Sequence, residues 1–226
     1  MIAVIKKELK SYLLSPIGYI FIGLFLLMFS ILFYNGVFSN GVAFFEYSFY
    51  DAATIMTFLI PVLTMRMFSE ERKNGTEQLL LTSPRSLSSV VLGKFIAAII
   101  IVLVTILGTF IHFLILKHFA SPDIRVALCT MLGFFLLCCA YVSFGMFASS
   151  ITENQIVASV LTIGVFILMW FLPGISQNFY GLSLMYMFNH FPSGVIALNE
   201  VVRFVSFTVL FILLTIIVLQ RRKSVK

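Results

Sequence analysis

Charged residues are scarce in this chain, and that scarcity limits the protein classes to which it can belong. Asp, Glu, Lys and Arg make up 11% of its 226 residues, while 61% are hydrophobic. A soluble domain carries about 25% charged residues. The low charged fraction and the mean hydropathy of +1.09 together exclude that class. Apolar runs of about twenty residues indicate membrane-spanning helices. Alternating ten-residue strands are missing, which argues against a β-barrel.

The motifs of common enzymes are also missing. The sequence has no Gly-x-x-x-x-Gly-Lys-Ser/Thr loop for nucleotide phosphates, no His-Glu-x-x-His and no Gly-x-Ser-x-Gly. Its three cysteines (Cys129, Cys138, Cys139) share one apolar segment, which favours packing thiols over a disulfide or a metal site. We therefore expect no enzymatic activity, no catalytic residue and no cofactor or metal site on this chain.

Hydropathy divides the chain into six membrane spans in one domain, residues 1–226. Residues 1–15 have the spacing of an amphipathic interfacial helix, which Ser15-Pro16 ends as an elbow. Residues 174–201 are too apolar for a solvated loop and too broken for a span, so we expect short helices in the outer leaflet before the last span. The expected fold is therefore an all-α polytopic bundle. The spans are predicted at about 17–37, 49–66, 92–116, 126–149, 155–173 and 202–220.

Basic residues predict the orientation in the membrane. With the N-terminus inside, three lie outside (Lys117, Arg125 and Arg203) and twelve lie inside. This bias predicts cytoplasmic termini, and it explains the net charge of +6 without a nucleic-acid partner. The twelve are Lys6, Lys7, Lys10, Arg66, Arg72, Lys73, Arg85, Lys94, Arg221, Arg222, Lys223 and Lys226.

The most polar stretch is the inner loop at residues 66–94, which holds five of the fifteen Lys and Arg and three of the nine acids. Ser69 is predicted to cap a helical turn, Asn74-Gly75 to break it, and Thr76 to cap a second short helix. Three leucines at 79–81 follow. A partner protein would cover them, or they fold back onto the membrane surface.

The loop resembles the signature of type-2 ABC transporter permeases, in particular the gliding-motility and copper-processing branch. The resemblance rests on Arg66-x-Phe68-x-Glu70-Glu71-Arg72-Lys73-x-Gly75-Thr76-Glu77-x-Leu79-Leu80, then Pro84 and Gly93-Lys94-Phe95. It implies a permease subunit of an exporter in the plasma membrane, paired with an identical or homologous permease chain among the membrane lipids. It also implies two copies of a cytosolic ATPase subunit that carry the ATP and magnesium.

By the same resemblance, the segment from Glu70 to Pro84 contains the coupling helix that docks on the ATPase. If it docks there, reversing the charge of Glu71 or Glu77 is expected to impair the complex through an altered electrostatic match. The residues assigned to coupling are Glu70, Glu71, Arg72, Gly75, Thr76, Glu77, Leu79, Leu80 and Pro84. A translocation path between two permease halves is predicted along the second and fifth spans. The hydroxyls assigned to it are Thr54, Thr57, Thr64, Ser159 and Thr162, although such hydroxyls also bond the preceding helical turn.

Two other functions compete with transport. A non-transporting membrane anchor for an ATPase in a motility or envelope machine would share the same fold and the same docking loop. An intramembrane enzyme would need polar catalytic residues that converge inside the bilayer, and the spans do not offer them.

Overall fold

The computed structural model of the protein describes residues 1–38, 45–78, 86–175 and 177–225. Over these ranges the chain is helical and contains no strand. A π-helical turn, Tyr34–Phe38, extends α2, and a 3-10 helix, Gln177–Leu182, precedes α8. The α-helices are α1 Ile2–Leu14, α2 Pro16–Phe33, α3 Tyr47–Thr64, α4 Arg66–Lys73, α5 Leu87–Phe119, α6 Ile124–Ile151, α7 Gln155–Ile175, α8 Leu184–Phe188 and α9 Leu198–Val225.

Six helical segments are long and apolar enough to cross a membrane, which confirms the all-α polytopic fold. The third span begins at Leu87, earlier than the sequence predicts, so Lys94 lies two turns inside a helix. The second span continues through α4, with a break at Met65. The spans are Pro16–Val37, Tyr47–Lys73, Leu87–Phe119, Ile124–Ile151, Gln155–Ile175 and Leu198–Lys223.

The N-terminal helix α1 is present as predicted and ends at Ser15, whose extended backbone turns the chain into α2. Pro16 opens α2, where its missing N–H costs nothing. The elbow helix α1 lies so close to α5 that a Cβ at Gly93 would overlap the side chain of Val4. Glycine at that position therefore sets the distance between the elbow and the third span.

Helix α6 is the centre of the bundle and packs on α3, α4, α5, α7 and α9. Small residues permit this, because helices in lipid associate through close packing rather than through the hydrophobic effect. A Cβ at Gly145 would overlap the Thr64 hydroxyl of α3, and one at Gly133 would overlap the Phe191 ring. At the other end of α3, Phe29, Phe45 and Phe49 pack edge to face, and the Phe49 ring also packs on Phe134 of α6. α3 therefore contacts α6 near both of its ends.

The segment before the last span consists of short helices, as predicted from its broken apolar pattern. Ser183 caps α8 by accepting a hydrogen bond from the Tyr186 N–H. Met187, Phe188 and Phe191 are buried inside the protein. This irregular backbone is therefore covered by protein, which is the condition for its survival at membrane depth. Its position in the outer leaflet stays a prediction.

Candidate functional site: the charged network of the inner face

The candidate site lies on the face that the basic residues predict to be cytoplasmic, which we call the inner face. It begins where α3 breaks at Met65 and α4 starts at Arg66. The first N–H groups of a helix lack partners within that helix. Ser149 of α6 supplies one, since its Oγ accepts from the N–H of Phe68 at 3.0 Å and of Ser69 at 3.1 Å. The same hydroxyl donates to the Met65 carbonyl at 2.9 Å. One buried hydroxyl of α6 therefore fixes the start of α4.

The predicted capping role of Ser69 is wrong. Ser69 lies inside α4, and its hydroxyl donates to the Met65 carbonyl one turn earlier. The capping oxygen comes from Ser149, which is 80 residues away along the chain. A local sequence pattern carries no signal for a cap supplied by another helix.

Lys94 of α5 joins the elbow to α4. Its Nζ donates to Glu8 Oε1 and to Glu71 Oε1, each at 3.0 Å, and lies 5.3 Å from the centre of the Phe68 ring. The lysine side chain is only 3% exposed, and those of Glu8 and Glu71 are 13% and 19% exposed. We call these three residues the Lys94 triad. Two carboxylates share one ammonium in it, so the triad carries one net negative charge.

Beside the triad, Arg66 and Glu70 form a two-point ion pair one turn apart on α4. The Arg66 Nε and Nη2 donate to the two Glu70 oxygens at 2.8 Å each. Tyr12 of the elbow lies close by, and burial together with the Glu8 carboxylate raises the pKa of its phenol. Tyr12 therefore stays neutral at physiological pH.

The opposite side of α4 is bound to the later part of the chain. Arg72 pairs with Glu153 at 2.6 Å and donates to the Ile151 carbonyl at 3.0 Å. Arg222 of α9 pairs with Glu77 at 3.0 Å and donates to the same Ile151 carbonyl at 3.3 Å. The inner turn between α6 and α7 and the end of α9 therefore meet at the residues around α4.

The Asn74-Gly75 break is present where the sequence predicts it. Gly75 has φ +72°, a backbone conformation that residues other than glycine rarely adopt. The Thr76 hydroxyl donates to the Glu71 carbonyl at 3.2 Å, so its bond closes the end of α4. The other coupling residues assigned from the sequence, Leu79, Leu80 and Pro84, lie outside the described residues.

Every acidic side chain on the inner face is used inside the protein. These acids are Glu8, Glu70, Glu71, Glu77 and Glu153, and each has a basic partner. Glu71 and Glu77 therefore each have an ion-pair partner within the chain, and their role in docking stays a prediction. Their sequence context resembles a solvated loop, while their partners are 23 and 145 residues away. Six inner cations form no ion pair within the described residues: Lys6, Lys7, Lys10, Lys73, Arg221 and Lys223.

Most of the hydroxyls assigned to a translocation path are bonded to groups within this chain. Thr57 contacts the Tyr141 hydroxyl of α6, and Thr64 packs on Gly145. Thr162 is buried and bonds the Ala158 carbonyl, whereas Ser159 is half-buried and bonds the Ile156 carbonyl. Thr54 is half-buried. Four of the five therefore bond within their helices or α6, and the path stays a prediction.

Comparison with known proteins identifies the family of this chain. The model of a family described as "ABC-2 family transporter protein" matches residues 2–224, almost the whole chain. No curated protein matches the chain significantly. The branch within the family stays a prediction. The family match, the six spans and the helical inner face together lead to one conclusion: the chain belongs to the ABC-2 family and is a multi-pass membrane subunit of an ABC transporter.

Proposed function

We propose that this chain is the permease half of an exporter in the plasma membrane, driven by ATP hydrolysis on a separate cytosolic ATPase subunit. Both termini lie in the cytoplasm in this proposal, so that α4, the α6–α7 turn and the end of α9 face the ATPase. The twelve-to-three distribution of basic residues supports that orientation. The ATP and magnesium belong to the ATPase, of which two copies serve two permease chains.

The observation that carries this proposal is the number of elements that meet at α4. Glu71 connects it to α5 and the elbow, Arg72 to the α6–α7 turn, and Ser149 to α6. The adjacent Glu77 connects to α9. Energetic coupling between distant sites is carried by packed and hydrogen-bonded elements of this kind. A displacement of α4 by an ATPase would therefore reach five other parts of the bundle.

The free charges indicate the chemistry of the docking surface. Because all five inner acids are paired, the ATPase meets a face whose unpaired charges are positive. Lys73 lies at the end of α4, and Arg221 and Lys223 lie at the end of α9. We expect an acidic surface on the ATPase, and an association that weakens as salt increases.

A second permease chain completes the transporter in this proposal. The fifth and sixth spans bury the smallest share of their surface within the chain, so they have the most surface to offer a partner. The predicted path, along Thr54, Ser159 and their neighbours on the second and fifth spans, would lie between the two chains. A mass measurement should find two permease and two ATPase chains, and one permease per complex would remove this part of the proposal.

Co-purification of the ATPase tests the docking surface. Lys73→Glu and Leu80→Asp should each reduce the ATPase recovered at moderate salt, because one reverses an unpaired inner charge and the other places a charge in the coupling segment. Lys117→Glu changes an exposed lysine at the outer end of α5 and is the matched control. Equal recovery for all three variants would contradict the docking site. A bound ATPase whose hydrolysis never depends on the permease would favour the non-transporting anchor.

A further inference from the structure

The exposed side of the elbow helix α1 carries charges of one sign. Lys6, Lys7 and Lys10 are all exposed. All nine acidic side chains of the protein lie within the described residues, and none of them forms an ion pair with these lysines. Glu8, the one acid of the elbow, bonds Lys94 at 3.0 Å. The elbow therefore presents three positive charges that no acidic side chain of the protein neutralises.

Apolar side chains lie beside these charges. At about 3.6 residues per turn, Ile2, Leu9 and Leu13 share one face of α1, and Lys6 and Lys10 lie along the edge of that face. Ile2 and Leu13 are 70% and 44% exposed, so this apolar face is not covered by protein. An apolar face beside a basic one is typical of a helix at a membrane surface, where lysine stems lie along the lipid and the ammonium groups reach the head groups.

The attachment of the elbow fixes which side faces the lipid. Its opposite side is held against α5 by the bond from Lys94 to Glu8 and by the close approach of Val4 to Gly93. The helix cannot turn about its axis without breaking that bond. Pro16 begins the first span directly after the elbow, so α1 lies where the apolar core of the membrane ends. The three lysines are therefore presented at the level of the head groups by a helix in a fixed position.

We propose that this face of the elbow binds acidic phospholipids of the adjacent leaflet, with phosphatidylglycerol as the simplest example. The three ammonium groups contact the lipid phosphates, and Ile2 and Leu13 enter the acyl layer. An acidic protein surface would match the charges but not the exposed apolar face. Because Glu8 and Glu71 share Lys94, the bound lipid stabilises the elbow in its position beside α4. The inference does not rest on the docking of an ATPase.

Native mass spectrometry of the full-length protein tests this surface with two lipids that carry the same acyl chains. Phosphatidylglycerol has a net negative charge, whereas phosphatidylcholine is neutral overall. Each lysine near an anionic membrane surface contributes about fivefold to binding, so the wild-type protein should retain phosphatidylglycerol about tenfold better. Equal retention of the two lipids by the wild-type protein would overturn the proposal.

Two triple variants separate the elbow from the general charge of the inner face. Replacing all three elbow lysines by glutamine leaves the Lys94 triad intact and should remove the preference for phosphatidylglycerol. The matched control combines Lys73→Gln, Arg221→Gln and Lys223→Gln, which removes three other inner charges at the ends of α4 and α9. It should keep the preference. An equal loss in the two triple variants would contradict the site, because net charge alone would then recruit the lipid.

Amide hydrogen exchange locates the effect on the chain. In bilayer discs that contain phosphatidylglycerol, the amides of residues 2–14 should exchange several-fold more slowly than in discs of phosphatidylcholine, because bound lipid reduces local opening. The elbow glutamine variant should exchange at the same rate in both discs. Lipid-dependent protection that survives in that variant would overturn the proposal. An elbow variant that retains lipid normally but no longer recovers the ATPase would assign the lysines to a protein partner, which also contradicts it.

Discussion

Lys94 is the residue on which the inner face depends most. Lysine is almost never fully buried unless it is paired, and here one ammonium serves two carboxylates from different helices. Gly93 lets the elbow approach, and Lys94 then holds it by its Glu8 side chain. The Gly93-Lys94 pair that contributes to the family resemblance therefore has a physical reason, which is the attachment of α1 to α5.

We predict that Lys94→Met destabilises the protein strongly. The substitution leaves Glu8 and Glu71 buried without a counter-charge, and removing one partner of a buried ion pair costs about 3–5 kcal/mol. The thermal unfolding midpoint in detergent should fall by many degrees. Lys73→Met removes an exposed lysine of α4 that forms no ion pair with the described part of the chain, and the unfolding midpoint of this variant should equal that of the wild type. A Lys94→Met protein as stable as the wild type would show that the triad contributes nothing to the fold.

The triad cannot be predicted from the sequence, because Glu8 is 86 residues and Glu71 is 23 residues from Lys94 along the chain. A run of four charges, Glu70 to Lys73, is typical of a solvated face, and its pairing depends on which helices lie next to it. The three-dimensional arrangement assigns Glu71 and Glu77 to internal pairs. A charge reversal at either acid would therefore disturb the permease itself, and it cannot serve as a clean test of docking.

At the scale of elements, the contacts between α4 and α6 determine whether a displacement of α4 is transmitted to the bundle. The break at Met65 leaves the N–H groups of Phe68 and Ser69 at the start of α4. Both donate to the Ser149 hydroxyl. Arg72 adds a second connection to the end of α6 through the Ile151 carbonyl. α4 and the inner end of α6 should therefore move together.

Ser149→Ala tests that connection. The substitution leaves two buried N–H groups and the Met65 carbonyl without this partner, which should cost about 1–3 kcal/mol. Thermal unfolding measures the loss, and faster trypsin cleavage at Lys73 would show that α4 itself has loosened. Ser150→Ala is the adjacent control, since the Ser150 hydroxyl donates to the Phe147 carbonyl of its own helix. Equal effects of the two substitutions would contradict a specific capping role.

Hydropathy and turn signals predict the elements of this fold far better than they predict the contacts between them. All six spans and the Asn74-Gly75 break follow from composition, because lipid imposes a minimum apolar length and glycine permits positive φ. Pro61 lies inside the second span without ending it, since α3 continues through it to Thr64. The start of α5 at Leu87 was missed because two serines, Ser88 and Ser89, resemble loop residues.

At the scale of the whole molecule, the two inner loops form one surface. Arg72 and Arg222 both donate to the Ile151 carbonyl, so the segment after α4, the α6–α7 turn and the end of α9 meet there. An ATPase that touches one of these segments would touch its neighbours. The docking surface that we propose therefore comprises all three segments rather than one loop.

Orientation can be tested by cysteine labelling in intact cells. In a background without Cys129, Cys138 and Cys139, Asn74→Cys should react with a membrane-impermeant thiol reagent only after permeabilisation. Ser193→Cys, on the exposed turn after α8, should react in intact cells. The basic-residue distribution is the physical reason for this expectation. Equal labelling of the two positions, or the reverse order, would overturn the proposed topology and with it the cytoplasmic docking surface.

The central claim is that an ATPase docks at the end of α4, and crosslinking from position 74 tests it most directly. A photoreactive residue would be placed at exposed Asn74 in native membranes, with Ser193 on the outer side and Lys10 on the elbow as comparison positions. The account predicts an adduct from position 74 that contains an ABC ATPase, and none from position 193. Adducts with the ATPase from position 10 but not from position 74, or no ATPase adduct from either, would contradict it.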